Sequence, residues 1–163
     1  MIVVSDTTPL NYLVLIEVID VLPKLFNEVY APAAVMDELS HVSTPEPVRS
    51  WAAHPPHWLT VRSPSLHLPS TAKLHPGEAD AISLAKEIHA PAILMDEKLG
   101  RGIAIAEGLI VVRTLALLEL AAEHGLIELR PTLERLRGTS FRIDDELIEA
   151  ALAREPREKR LEG

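Results

Sequence analysis

Two short apolar runs each lead straight into an aspartate: Ile2-Val3-Val4-Ser5-Asp6 and Ala92-Ile93-Leu94-Met95-Asp96. An unbroken apolar run, rather than an alternating one, marks a strand covered on both faces, the usual situation in a parallel sheet. Parallel strands end on one common edge, and ligands bind outside those carboxyl ends. If these two strands are neighbours, their backbones lie about 4.8 Å apart, and two carboxylates share one small volume. Like charges that close repel unless one is protonated or a cation sits between them. A divalent cation removes the conflict and takes the oxygens as ligands. Taken singly, either aspartate also reads as an N-cap of the helix that follows it. The pair together favours the cation.

The rest of the chain supplies the alternation that such a sheet needs. Pro9 suits the first turn of a helix, with Thr7 or Thr8 as its N-cap and Leu10, Leu13 and Val14 on one face. Residues 16–25 read as a second helix, Val29-Tyr30-Ala31 as a strand, and 33–41 as a helix behind Pro32. The proline-bearing stretch 43–70 reads as loop, interrupted by a helix near 48–53 and a strand at Trp58-Leu59-Thr60-Val61. Pro76-Gly77-Glu78 opens a helix to Ile88, with Ala79, Ile82, Ala85 and Lys86 at helical spacing. Residues 98–107 form the next helix, stopped by Gly108, and Leu109-Ile110-Val111-Val112 a further strand. Thr114 caps a helix to His124 that Gly125 stops, and the stripe Leu115, Leu118, Ala122 faces the core. Helices at 133–136 and 144–153 follow, the second capped by Asp144, and the charged tail beyond Pro156 is expected to fray. Strands alternating with helices predict an α/β three-layer fold, a mainly parallel sheet flanked by helices. The division expected is a domain over 1–126 and a helical extension over 127–163, packed on or flanking it.

At 163 residues and 47% hydrophobic content, the chain can bury a core without covalent staples. It has no cysteine, which excludes disulfides, a thiolate zinc site and a catalytic thiol, and suits a reducing cytoplasm. No apolar run approaches the roughly 18–20 residues of a membrane span, and the N-terminus lacks the basic stretch of a secretory signal. The net charge of −8 runs against nucleic-acid binding by basic surface alone. A bound cation can mask acidity concentrated in one pocket, and Arg113, Arg130, Arg135, Arg137 and Arg142 can supply basic surface.

Two further acids are candidates for that pocket. Glu78 stands at a helix start, where the helix dipole also welcomes a carboxylate, with Asp80 as second choice. Glu38 lies beside the apolar stripe of Val35 and Leu39, with Asp37 as its competitor. An acid at such a place is equally an ordinary solvated edge residue. His54 and His57 flank Pro55-Pro56 and read as an exposed loop rather than a metal pair. Trp51 and Trp58 read as core or dimer-interface anchors rather than base-stacking platforms.

Four segments in order resemble the acidic motifs of a known family. Val-Ser-Asp6-Thr-Thr8-Pro-Leu-Asn-Tyr-Leu resembles the opening motif of PIN domains, and Ala-Pro-Ala-Ala-Val-Met-Asp-Glu38-Leu the second. His-Pro-Gly-Glu78-Ala-Asp-Ala-Ile resembles the third, and Ile-Leu-Met-Asp96-Glu-Lys-Leu-Gly-Arg101 the fourth. Their order and spacing are similar to the subgroup related to VapC toxins, and Gly-Leu-Ile-Glu-Leu with Phe-Arg-Ile-Asp-Asp-Glu-Leu-Ile extends the likeness over nearly the whole chain. The resemblance implies a Rossmann-like sheet, a Mg²⁺ or Mn²⁺ site, cleavage of RNA phosphodiesters, and a toxin held as a homodimer and blocked by an antitoxin. It places Asp6, Glu38, Glu78 and Asp96 at the acidic, metal-binding positions and Thr8 where the family has a serine or threonine beside the metal. The chain departs from the pattern in having Glu78 where many members have aspartate, and Glu97 as the nearest counterpart of a fifth acid.

The expected chemistry is metal-assisted hydrolysis by an endoribonuclease. Thr8 would orient a water, and Arg101, with Lys98, would touch the scissile phosphate. Two rivals come from other classes. An aspartate after the first strand is also the nucleophile of dehalogenase-like phosphatases and the acceptor of receiver domains. The phosphatases want a second aspartate where Thr8 stands, and a receiver wants an acidic pair where Ser5 stands. A non-catalytic PIN-like interaction module would explain the acidity but not two strand-terminal aspartates.

Overall fold

The computed structural model describes residues 1–68 and 74–155. Its centre is a sheet of five parallel strands: β1 (Ile2–Ser5), β2 (Glu28–Ala31), β3 (Leu59–Val61), β4 (Ala92–Leu94) and β5 (Ile110–Val112). Their order is β3-β2-β1-β4-β5. The chain first builds outward from β1 to β3, then adds β4 and β5 on the other side of β1. The strand order therefore reverses between β1 and β4, where the connections diverge and an open α/β sheet leaves a crevice at its carboxyl edge. Ser5 lies in register with Leu94 across that boundary, so the residues that follow both strands emerge side by side.

The helices among the described residues are α1 (Thr7–Leu15), α2 (Leu22–Leu25), α3 (Ala33–Leu39), α4 (Glu46–Ala53), α5 (Pro76–Glu87), α6 (Lys98–Ala106), α7 (Thr114–Glu123), α8 (Leu129–Arg137) and α9 (Asp145–Arg154). Successive strand side chains face opposite ways, which divides the core. Val3, Ala92 and Leu94 join Leu10, Leu13, Leu117, Leu118, Leu133 and Ile148 in one buried cluster. Val4, Ile93 and Met95 join Ala81, Ile82, Leu84, Ala85 and Ala104 in the other. Helices α5 and α6 cover one face, and the other described helices cover the opposite face. The unbroken apolar character of β1 and β4 follows directly from this double cover. No helix among the described residues is long and apolar enough to cross a membrane.

Several local expectations shift. Helix α1 begins at Thr7 with Asp6 in the N-cap position, so neither Thr7 nor Thr8 caps it. The expected helix over 16–25 is instead a turn at Glu17 (φ 62°), a 3₁₀ turn at Ile19–Val21 and the single turn of α2. Pro23 permits only a helix start there. Lys86 is not in the buried stripe of α5; it is exposed and pairs with Glu107 at 2.7 Å. β5 lies at the sheet edge and leaves Ile110 55% exposed, so its apolar run was no guide to full burial. α8 starts at Leu129, earlier than the periodicity marked, because Pro131 is tolerated in a first turn. Asp144 does cap α9, its carboxylate accepting the Leu147 N–H at 2.9 Å. Gly108 and Gly125 end their helices at φ 83° and 71°, backbone that favours glycine. Residues 69–70 of the expected loop and the tail beyond Pro156 lie outside the described residues.

Leu133 of α8 is fully buried in the cluster that contains β1 and β4 residues. Leu133→Ala should cost about 2–5 kcal/mol and shift one cooperative unfolding transition, measured by denaturant titration with circular dichroism. A separate early transition for the C-terminal helices would contradict this.

Candidate active site

Both strand-terminal aspartates sit at the reversal point. The Asp6 N–H donates to the Leu94 carbonyl at 3.0 Å, carrying the β1–β4 ladder one step past the strand end. Asp6 is 2% exposed, and its side chain makes no capping hydrogen bond to α1. Asp96 does not cap the next helix either, since Glu97 holds the N-cap position of α6. Asp96 reaches across to α7 instead. Its Oδ1 accepts the backbone N–H of Thr114 at 3.0 Å, and its Oδ2 accepts the Thr114 hydroxyl at 2.5 Å. Capping of the helix that directly follows it therefore accounts for neither carboxylate.

Two glutamates approach from α3 and α5. Glu38 is half-buried near the C-terminal end of α3. Its Oε2 accepts the Thr7 hydroxyl, and its Oε1 accepts the Gly77 N–H at 3.1 Å. A Cβ at Gly77 would lie 2.6 Å from Glu38 Oε1, so only glycine lets the backbone come this close without displacing the carboxylate. Glu78, in the first turn of α5, is 5% exposed. Gly100 on α6 plays the same permissive part beside it: a Cβ there would lie 3.1 Å from Glu78 Oε2 and 2.6 Å from Met95 Sδ.

The charges of these residues act on one another. The Asp6 carboxyl is pushed up from an ordinary 3.8 to about 7. Burial is the largest cause, with the nearby charges of Glu78, Glu38 and Asp96 adding to it, against a lowering backbone hydrogen bond at Thr7. The Glu78 carboxyl is also raised, by burial and by the charges of Glu97 and Glu38, against a lowering influence from His75. Asp6 Oδ1 and Glu78 Oε2 are buried without a hydrogen-bond partner, an expensive condition for a carboxylate oxygen. Carboxylates without thiolates suit a hard divalent cation, and the two orphaned oxygens are the kind of ligand it takes. As the side chains stand, no three His, Asp or Glu groups among the described residues form a ligand cluster. Glu38 and Asp96 are each engaged by donors of their own.

The remaining candidates divide. Thr8 is half-buried, but the hydroxyl that meets a site carboxylate belongs to Thr7. Arg101 folds back along α6, its Nε donating to the Asp96 backbone carbonyl at 3.0 Å, which holds the guanidinium beside the strand end. Asp80 is engaged by His67 at 2.7 Å, and Asp37 is exposed. His54 and His57 are exposed, as expected of a loop. Trp51 and Trp58 pack on each other, ring centroids 6.4 Å apart, against the larger core cluster. The contacts of Thr7, Gly77, Gly100 and Thr114 with the acids are what the sequence did not show, although Thr7 and Thr114 read there as helix caps. Thr114 carried a signal: it follows a third parallel strand, and so reaches the same edge as Asp6 and Asp96.

A family model described as a PIN domain matches residues 2–155. The chain belongs to the PIN-domain family. The four acidic segments therefore belong to one fold, and the α/β three-layer architecture expected from the strand–helix alternation is that of a PIN domain. PIN domains are generally metal-dependent nucleases and typically bind RNA. No curated protein and no solved structure matches this PIN domain.

The raised Asp6 carboxyl makes stability depend on pH. Unfolded, Asp6 ionises near its ordinary 3.8; folded, it keeps its proton to about 7. Between those values the native state holds the extra proton, so its contribution, complete below the lower value, is lost as pH rises through the upper one. In EDTA, Asp6→Asn should raise the melting temperature more at pH 8 than at pH 5. An equal gain at both pH values would contradict the assignment.

Proposed function

We propose that this PIN domain is a metal-dependent endoribonuclease that hydrolyses RNA phosphodiester bonds, and that it is the VapC-like toxin of a type II toxin–antitoxin pair. The observation that carries the catalytic reading is the buried Asp6 and Glu78 pair, each with an unpartnered carboxylate oxygen, at the strand-order reversal. Structural acids are normally hydrogen-bonded when buried. Burying two without partners, beside Glu38 and Asp96, serves cation binding better than it serves stability. Asp6, Glu38, Glu78 and Asp96 would hold a Mg²⁺ or Mn²⁺ ion. When bound, the ion supplies Lewis acidity and offsets charge on the reacting phosphate.

The chain's own groups do the rest. Thr7 and Gly77 hold Glu38, and Thr114 holds Asp96, so the outer acids are oriented before any ligand arrives. Thr8, half-buried and next to Thr7 in the chain, would orient a water. Arg101, held at the Asp96 carbonyl, and Lys98 at the start of α6 would meet the RNA phosphate. The toxin role, an antitoxin partner, a homodimer and a cytoplasmic location rest on the likeness of motif order and spacing to VapC toxins.

One observation favours a second reading, a non-catalytic interaction module: no three acids among the described residues stand together as a ligand cluster. An RNA cleavage assay separates the two. The purified protein should cleave RNA with Mg²⁺ or Mn²⁺ and not with EDTA. Asp6→Asn and Asp96→Asn should each lower the rate by roughly 100-fold or more while leaving the circular dichroism spectrum unchanged. Undiminished cleavage by either variant would count against the nuclease. Metal-independent binding of a protein partner, without cleavage, would support the module.

A further inference from the structure

We propose that Thr114 is a positioning residue for Asp96, its hydroxyl serving to aim that carboxylate toward the cation rather than to cap α7. The proposal rests on the nuclease reading and deepens it, because it concerns how one of the four acids is made ready.

The helix-capping role that a threonine at this place suggests is not the one it performs. The N-cap position of α7 is Arg113, and Thr114 is already the first helical residue. Its side chain is fully buried, where an unpaired hydroxyl would be costly. That hydroxyl is spent on Asp96 Oδ2, and the backbone N–H of the same residue is spent on Oδ1. One donor on each oxygen fixes both the plane and the direction of the carboxylate. The N–H is one of the free donors at the start of a ten-residue helix, which favours a negative group there. The backbone of the acid is anchored as well: the Met95 N–H donates to the Val112 carbonyl, and the Arg101 Nε donates to the Asp96 carbonyl.

This clamp does not exhaust the carboxylate. Each oxygen accepts one hydrogen bond and keeps a second lone-pair direction. Asp96 is thus held in orientation with acceptor capacity remaining, whereas Asp6 Oδ1 and Glu78 Oε2 have no donor at all. Groups that orient a metal-binding carboxylate through hydrogen bonds commonly matter 10–100-fold to metal affinity. A threonine kept only to satisfy its own hydroxyl would not act through Asp96, and the two roles are separable by experiment.

The test is Mn²⁺ titration of the full chain by calorimetry, with melting temperatures in EDTA as the fold check. Thr114→Val, which keeps the shape and removes the donor, should weaken Mn²⁺ binding about 10-fold or more. Thr114→Ser, which keeps the hydroxyl, should restore binding to near the wild-type value. Adding Thr114→Val to Asp96→Asn should weaken binding little beyond Asp96→Asn alone, because the aimed group is already altered. Thr114→Ala is run beside the valine variant and carries the same comparison should valine prevent folding. Wild-type affinity in folded Thr114→Val or Thr114→Ala overturns the proposal and leaves the nuclease reading standing. So does an equal loss with and without Asp96. Absence of Mn²⁺ binding and of RNA cleavage in the wild-type protein overturns both, and is seen without any Thr114 variant.

Discussion

Desolvation of carboxylates at one edge of a buried parallel sheet, with their mutual repulsion added to it, is the constraint around which this molecule is arranged. Asp6 is almost completely enclosed and surrounded by the charges of Glu78, Glu38 and Asp96, and its carboxyl is held up near 7 as a result. No requirement of the fold places it there. An apolar residue or a serine after β1 would avoid the desolvation that Asp6 incurs. A protein tolerates such a site where the arrangement serves a ligand, and strongly perturbed acids in a crevice are a recognised mark of function.

The four acids are treated unequally. The outer two are each held by two donors, Glu38 by Thr7 and Gly77, Asp96 by the hydroxyl and N–H of Thr114. The inner two keep an oxygen without a partner. This division limits the repulsion, because the donors on Glu38 and Asp96 stabilise their negative charge. The elements that deliver the donors are those that cross the carboxyl edge: the start of α1, the first turn of α5 and the first turn of α7. Each begins beside the crevice, so its free N–H groups and first-turn side chains are available to carboxylates there. Gly77 and Gly100 contribute by what they lack, allowing a helix start and the α6 backbone to close on Glu38 and Glu78.

Most of the elements were legible because burial on both sheet faces leaves a strong mark in the chain. β1, β2 and β4 read as apolar runs, and the helices between them, apart from the broken stretch 16–25, kept their spacing. The errors fall where local pattern and tertiary position part company. β5 is as apolar as β4 yet lies at the edge, since residue type reports that a strand packs somewhere but not how many neighbours it has. Lys86 shares the helical phase of a buried stripe, but its length carries its ammonium out to Glu107. The four candidate acids were marked by strand ends and by resemblance of motif order. Their partners were not, because a hydroxyl next to an aspartate in space has no fixed separation from it in the chain: Thr7 and Glu38 are 31 residues apart, Asp96 and Thr114 are 18 apart.

Sequence alone determined the kind of sheet and the two aspartates that end its apolar strands, since both follow from periodicity and from where apolar runs stop; Glu38 and Glu78 were indicated only by resemblance of motif order. It could not determine that β1 and β4 adjoin, that the order reverses between them, or which hydroxyl meets which carboxylate. Those depend on contacts between segments far apart in the chain, whose pairing is chosen by packing of the whole core. The tertiary structure also decided which acid oxygens are buried without a donor, because desolvation is a property of everything that surrounds an atom rather than of the residue that carries it.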